Sequence, residues 1–379
     1  MYSLLSYAEM ASDGVRMDAH ARAIARTVRP GDVVVDLGSG TGVLSLLAAK
    51  AGARRVHAVE TNPAVWLLKD LAAENGLSDR IVIHHGSSFE VELPERADVI
   101  VSDLRGSYPL HEQHLRSLRD ARERWLAPGG TMIPLRDKLM VAVVEFGSFW
   151  RTLERGWTGL ERLGFSAQAC RSAVVNGMYG DEGEPLMSSA VLTTAAAWAE
   201  LHYGEAFERA VQSTVELVAT RGGIAHALAL WFDATLMEGI EFSNAPGQRL
   251  VYKRIVLPLY EPVGLAAGDV VAVTVRFDVT GERCAWDTEI RRAAGGPSAR
   301  FRQATFLGAP TSPEALLRGA TAFAPVLSAR GQRARRLLDL FDGERTVRQL
   351  ADEVADGEPP ARRDALLEEV RACVQRYAR

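Results

Sequence analysis

Short apolar runs alternate with amphipathic stretches over the first third of this 379-residue chain. Val33-Val34-Val35 leads into Asp36-Leu37-Gly38-Ser39-Gly40-Thr41-Gly42, and an apolar-periodic stretch, Val43–Ala51, follows. That order predicts a buried strand, a glycine turn and a helix. The same reading places strands at 32–36, 55–59, 80–84, 97–102 and 130–133, and helices at 18–28, 43–51, 63–75 and 112–126. Asn75-Gly76 and Pro128-Gly129-Gly130 punctuate them as turns. Regular alternation predicts an α/β, mainly parallel, doubly wound sheet with ligands at the carboxyl ends of its strands.

The pattern changes after Pro134. Residues 136–146 read as a strand, and 148–163 as a helix with Trp150, Leu153, Trp157, Leu160 and Leu163 three to four apart. Strand-like runs then recur at 210–219, 224–236, 250–259, 269–278 and 282–290, which predicts an antiparallel sandwich or barrel. From 313 onward the periodicity is helical again, at 330–341, 347–355 and 362–377, with Thr346 placed to cap the middle helix. Three domains are therefore expected: 1–135, 136–310 and 313–379, the last a small helical module of winged-helix-like shape.

Charge and composition narrow the class. A net charge of −4 and a pI near 6.1 argue against general nucleic-acid binding. Cys170, Cys284 and Cys373 are too widely spaced for a zinc site or a disulfide framework, so no metal is expected. No apolar run approaches the ~18 residues of a membrane span, and no signal peptide is apparent at the N-terminus. A cytoplasmic enzyme is the expectation, with no nucleic acid and no membrane as partner.

The glycine turn separates two cofactor classes. Dinucleotide folds carry G-x-G-x-x-G, whereas Asp36, Gly38, Gly40 and Gly42 form D-x-G-x-G-x-G. This resembles motif I of the S-adenosyl-L-methionine (SAM) methyltransferases, where the turn receives the amino-acid part of SAM. Glu60, closing the second strand, suits ribose hydroxyls in either class. Further on, Asp103 ends the fourth strand and Glu112 follows in the same loop. Two neighbouring carboxylates repel unless a cation lies between them, and a guanidinium, planar with five donors, can be gripped by both. The plain alternative is a solvated acidic loop.

With these residues together, the chain resembles the protein arginine methyltransferases over roughly 5–310. Asp36–Ala53, Val59-Glu60, Asn75-Gly76-Leu77, 86–94, Ser102–Glu112 and 121–130 carry the likeness, as do 225–233 and 242–246 in the β region. The resemblance implies a Rossmann-like SAM domain, a β-barrel and a helical dimerisation arm near 148–170, hence a homodimer. It makes Asp103 and Glu112 the catalytic acids. Arg16 becomes the partner of the SAM carboxylate, in a segment Tyr7–Arg16 that closes over the cofactor with Tyr7 and Met10 toward the substrate. Ser88 and Phe89 fall on the adenine side.

The chain also departs from the family. Asp103 replaces a glutamate, Phe89 an acid, and Leu250-Val251-Tyr252 a Thr-His-Trp motif. Arg105 sits in the acidic loop, where it would neutralise one acid or meet a carboxylate on the substrate, and His114, also expected toward the substrate, stands where the family often has Met. The segment 341–351 is similar to peptide-recognition modules of PqqD type. The expected activity is methylation of a guanidino nitrogen on a peptide, a protein or a small metabolite. The alternatives are a SAM enzyme with a non-guanidino acceptor and a non-catalytic SAM- or peptide-binding regulator.

Overall fold

The computed structural model describes residues 2–110, 114–181, 184–205, 210–279, 282–355 and 363–378. The chain separates into two compact units, 1–310 and 311–379.

In the first unit, β1 (Val33–Leu37), β2 (Arg55–Glu60), β3 (Ile81–His85), β4 (Ala97–Ser102) and β5 (Leu126–Ile133) form a parallel sheet in the order β3-β2-β1-β4-β5. Helices α1 (Leu4–Ser12), α2 (Gly14–Thr27), α3 (Val43–Lys50), α4 (Leu67–Glu74) and α5 (His114–Trp125) accompany it. Every residue of β1 is buried, which explains its uninterrupted apolar run: a parallel strand covered on both faces has no polar side to present. Strand order reverses between β1 and β4, so the carboxyl ends of β1, β2 and β4 open onto one crevice.

The remainder of this unit is antiparallel. It comprises β6 (Arg136–Val144), β7 (Tyr179–Gly180), β8 (Ala196–His202), β9 (Ala210–Val218), β10 (Gly223–Met237), β11 (Ile240–Ser243), β12 (Ile255–Leu265), β13 (Val270–Asp278), β14 (Arg283–Arg291) and β15 (Ala299–Ala304). One sheet runs β7-β12-β10-β6-β8 with β11 on β10, the other β15-β14-β13-β9. A bridge between Thr193 and Ala219 links the two. In β13 and β14 burial alternates strictly, with Val271, Val273, Val275, Phe277, Trp286 and Ile290 turned inward. One apolar core runs from the Val33–Val35 strand to Trp286, so the change from parallel to antiparallel is a change of topology within a single packed body.

Three readings need correction. The helix expected over 148–163 is two, α6 (Gly147–Arg155) and α7 (Thr158–Arg162), because the chain tightens at Gly156-Trp157, where the Trp157 amide donates to the Glu154 carbonyl. A further helix, α8 (Gln168–Val174), follows them. The strand expected at 250–259 begins only at Ile255. Just before it, Arg254 lies opposite Asp181, whose amide donates to the Arg254 carbonyl at 3.3 Å and whose carboxylate accepts from Arg254 Nη1 at 2.7 Å and from its amide at 3.0 Å. Strand β8 was not expected: its Ala-Ala-Trp-Ala sequence has little alternation, and pairing with β6 decides its conformation.

After α9 (Thr305–Gly308), the second unit holds α10 (Pro313–Arg318), α11 (Ala329–Leu338), α12 (Val347–Val354) and α13 (Arg363–Tyr377), packed around Leu337, Leu350, Ala351, Val370 and Cys373. Thr346 caps α12 through a reciprocal box: its hydroxyl accepts from the Gln349 amide, and Gln349 accepts from the Thr346 amide at 2.8 Å. Among the described residues no strand occurs in this unit, and none of the described helices is long and apolar enough to cross a membrane.

Candidate active site

The glycine turn at the end of β1 is held open by backbone geometry. Gly38 and Gly40 have φ of 75° and 55°, which a side chain would strain. A Cβ on Gly40 would lie 2.6 Å from the Tyr7 ring, and one on Gly38 would strike Leu104. The turn is thus roofed by α1 and by the loop after β4. Glu60 faces it from β2: one carboxylate oxygen accepts the Gly40 amide at 2.8 Å, the other the Asn62 amide at 2.7 Å. A carboxylate has about four acceptor positions; the Thr61 hydroxyl also donates, at 3.3 Å, so capacity remains for a ligand hydroxyl. Burial, then the charge of Glu60, pushes the Tyr7 phenol up to about 12.

Asp36 does not reach the crevice. It is fully buried beneath the turn, accepts from the Ser45 hydroxyl at 2.6 Å, and burial pushes its carboxyl up to about 7. Its expected contact with cofactor is therefore corrected to support of the turn from inside. Gly42 closes the turn as the N-cap of α3. The 86–90 turn begins beside Glu60, whose carbonyl accepts the Gly86 amide at 2.9 Å. Within it Ser88 is buried, and Phe89 is exposed with the Arg116 guanidinium over its ring.

The carboxyl end of β4 brings Asp103 against Arg16 of α2. The guanidinium donates to Asp103 through Nη1 and to the Met10 carbonyl through Nη2, and both side chains are 8% exposed. Met10 thus enters the site by its backbone. Burial opposes the charge of Arg16, and Asp103 more than offsets it, so the Arg16 pKa rises. Burial likewise opposes ionisation of Asp103, but His20, Arg16 and Arg105 together hold its pKa below the ordinary value. Burial keeps His20 itself toward the neutral form, so the two arginines are the dependable charges. Arg16 also lies 5.8 Å from the centroid of the Tyr252 ring, so Tyr252 packs at the cluster from the loop where the family motif is absent.

Arg105 is not at the mouth of the site. Its side chain is completely buried, with Nη1 3.2 Å from Asp137, Nε 3.5 Å from Asp103, and Phe232 and Phe242 ring centroids each 5.3 Å from its Cζ. The expectation of a direct substrate contact is corrected accordingly: two carboxylates and two aromatic faces draw this cation inward. The chain of bonds continues, with Tyr203 donating to Asp137 at 2.6 Å and accepting from His114 Nε2 at 3.1 Å. Burial, then the charge of Arg105, pushes His114 down to about 3; the expectation that it faces the substrate is corrected to a buried, neutral packing element. Glu112, the second expected acid, lies outside the described residues.

Asp137, Tyr203, Phe232, Phe242 and Tyr252 were missed by sequence reasoning. Asp137 stands between Arg136 and Lys138 and reads as a solvated strand start, and the aromatic residues read as ordinary core.

The crevice suits a SAM-like ligand. Glycines keep side chains off the turn, Glu60 retains acceptor capacity, and the buried Nε of Arg16 has no hydrogen-bond partner and can serve a carboxylate.

Comparison with known proteins agrees with this assembly. The family profile for ribosomal protein L11 methyltransferase (PrmA) matches residues 20–133. A probable protein arginine N-methyltransferase 6 of Arabidopsis thaliana is 38% identical over 154 residues, 38% of this chain and 35% of that one. Protein arginine N-methyltransferase 1 of Schizosaccharomyces pombe is 30% identical over 280 residues, 70% of this chain and 80% of that protein. The fold is that of a Trypanosoma brucei PRMT1 enzyme–prozyme heterotetrameric complex with AdoHcy, at TM-score 0.70 and 22% identity over 79% of this chain and 97% of that one. With the glycine turn, Glu60 and Asp103 at the ends of adjacent strands and an alignment spanning most of a relative, the chain belongs to the protein arginine N-methyltransferase family.

Proposed function

We propose that this protein transfers a methyl group from SAM to a guanidino nitrogen of arginine in a peptide or protein. The observation that carries this reading is the placement of Asp103, fixed by Arg16, at the carboxyl end of β4, on the crevice that Gly40 and Glu60 line from β1 and β2. Gly38, Gly40, Glu60, Arg16 and the 86–90 turn would hold SAM, with Tyr7 covering it. When bound, SAM supplies an electrophilic methyl group whose bonding pair stays on sulfur. Glu112 would hold the acceptor guanidinium by paired bonds and draw its positive charge away from the nitrogen that attacks. That nitrogen forms the new N–C bond and gives up a proton.

Glu112→Gln tests this assignment on an arginine-containing peptide pool. Turnover should be lost while S-adenosylhomocysteine binding, read by calorimetry, stays at the wild-type value. Turnover close to wild type would remove Glu112 from the mechanism.

The excursion α6–α8 is the segment we assign to self-association. Leu163 and Phe165 project from it at 72% and 64% exposure. Sedimentation should report a dimer, and a monomer at micromolar concentration would contradict the assignment.

A further inference from the structure

Among the described residues of the site, Arg105 is the buried cation that neither cofactor binding nor methyl transfer uses. It lies between two carboxylates, Asp103 and Asp137, and its neighbour Arg16 occupies the other oxygen of Asp103. Among the described residues, Asp103 and Asp137 against Arg16 and Arg105 sum to zero formal charge. An acceptor guanidinium approaching Asp103 would therefore meet one oxygen bonded to Arg16 and another, Oδ1, that has no hydrogen-bond partner but lies 3.5 Å from the Arg105 Nε. A buried ion is also screened far less than a surface one. Methyl transfer needs a lone pair on the attacking nitrogen, which becomes available as the guanidinium held by Glu112 gives up its proton, more readily for a less basic guanidine.

We propose that Arg105 is a specificity-determining positioning residue whose buried guanidinium, braced by Asp137, takes up the inner side of Asp103, so that the site selects acceptors whose guanidino group is readily neutral. The inference rests on the arginine-type reading above and deepens it. Phe232 and Phe242 hold the guanidinium plane, and the Asp137–Tyr203–His114 chain fixes the brace. Arg105 does not touch the acceptor in this account; it acts through Asp103.

The test is a competition between arginine and canavanine, whose oxyguanidine is less basic, offered as free amino acids and as matched peptide pools. Product ratios are read by mass spectrometry. Arg105→Gln removes one buried positive charge beside Asp103 and keeps a donor for Asp137. The canavanine-to-arginine product ratio should fall about tenfold from wild type to this variant, the effect of one unit charge acting over several ångströms. If that variant does not fold, Arg105→Met with Asp137→Asn, a paired replacement that need not destabilise a core, should give a smaller fall in the same direction, because the two lost charges partly cancel.

Comparing one ratio between proteins cancels the different nucleophilicities, and a merely structural role would not move it. An unchanged ratio in a variant with wild-type melting and SAM affinity overturns the proposal. No turnover of either guanidine by wild-type protein that binds SAM would instead overturn the arginine reading, and this inference with it.

Discussion

Asp13 ties the N-terminal helices to the barrel loop: one carboxylate oxygen accepts the Val251 amide at 2.8 Å, while the other caps α2 by accepting the Arg16 amide at 3.3 Å. One side chain therefore sets both the start of the helix that carries Arg16 and the loop that carries Tyr252. Asp13→Ala should cost about 1 kcal/mol as a lost cap, visible in urea unfolding. It should also weaken SAM binding, because Arg16 is no longer held on Asp103. Loss of stability with unchanged SAM affinity would show that the tie is structural only.

Gly40→Ala should destabilise by about 1–2 kcal/mol from its left-handed backbone alone. A steric term adds to this, since the new Cβ would fall 2.6 Å from the Tyr7 ring. Combining it with Tyr7→Ala should recover the steric part and leave the backbone part. The double-mutant cycle then shows a favourable coupling; strict additivity would mean that Tyr7 does not lie on the turn.

Glu60→Gln keeps the shape but halves the acceptor capacity facing the Gly40 and Asn62 amides. SAM affinity should drop about tenfold, the scale of one charge-assisted hydrogen bond, with the far-ultraviolet spectrum unchanged. Calorimetry checks this, and retention of full affinity would remove Glu60 from the cofactor site.

The strand and turn residues of this crevice were legible because they obey local rules. Val33–Val35 had to be a buried strand, and three glycines at alternate positions had to turn. The inner half of the site obeys no local rule. Asp137 reads as a surface residue until Arg105, from a distant loop, arrives beside it, and Tyr252 gains its meaning from contact with Arg16. The same is true of Asp181 reaching Arg254 just before β12. Long-range pairing of charged side chains decided these features, and periodicity carries no trace of it.

His114 makes part of the stability pH-dependent. Its folded pKa is pushed down to about 3 from an ordinary 6.5. Between those values the unfolded chain binds a proton that the folded one refuses, so stability falls as pH drops through that window. Urea unfolding at pH 7 and pH 5 should show a smaller loss for His114→Gln, which keeps a donor for Tyr203, than for wild type. Equal losses would mean that His114 is protonated in the folded protein.

The most direct measurement is mass spectrometry of peptides and free arginine after incubation with methyl-labelled SAM, with fragmentation to locate the label. The account predicts labelled methyl on a guanidino nitrogen, lost in Glu112→Gln. SAM binding with no label on any guanidine, or label on a different atom, would contradict it.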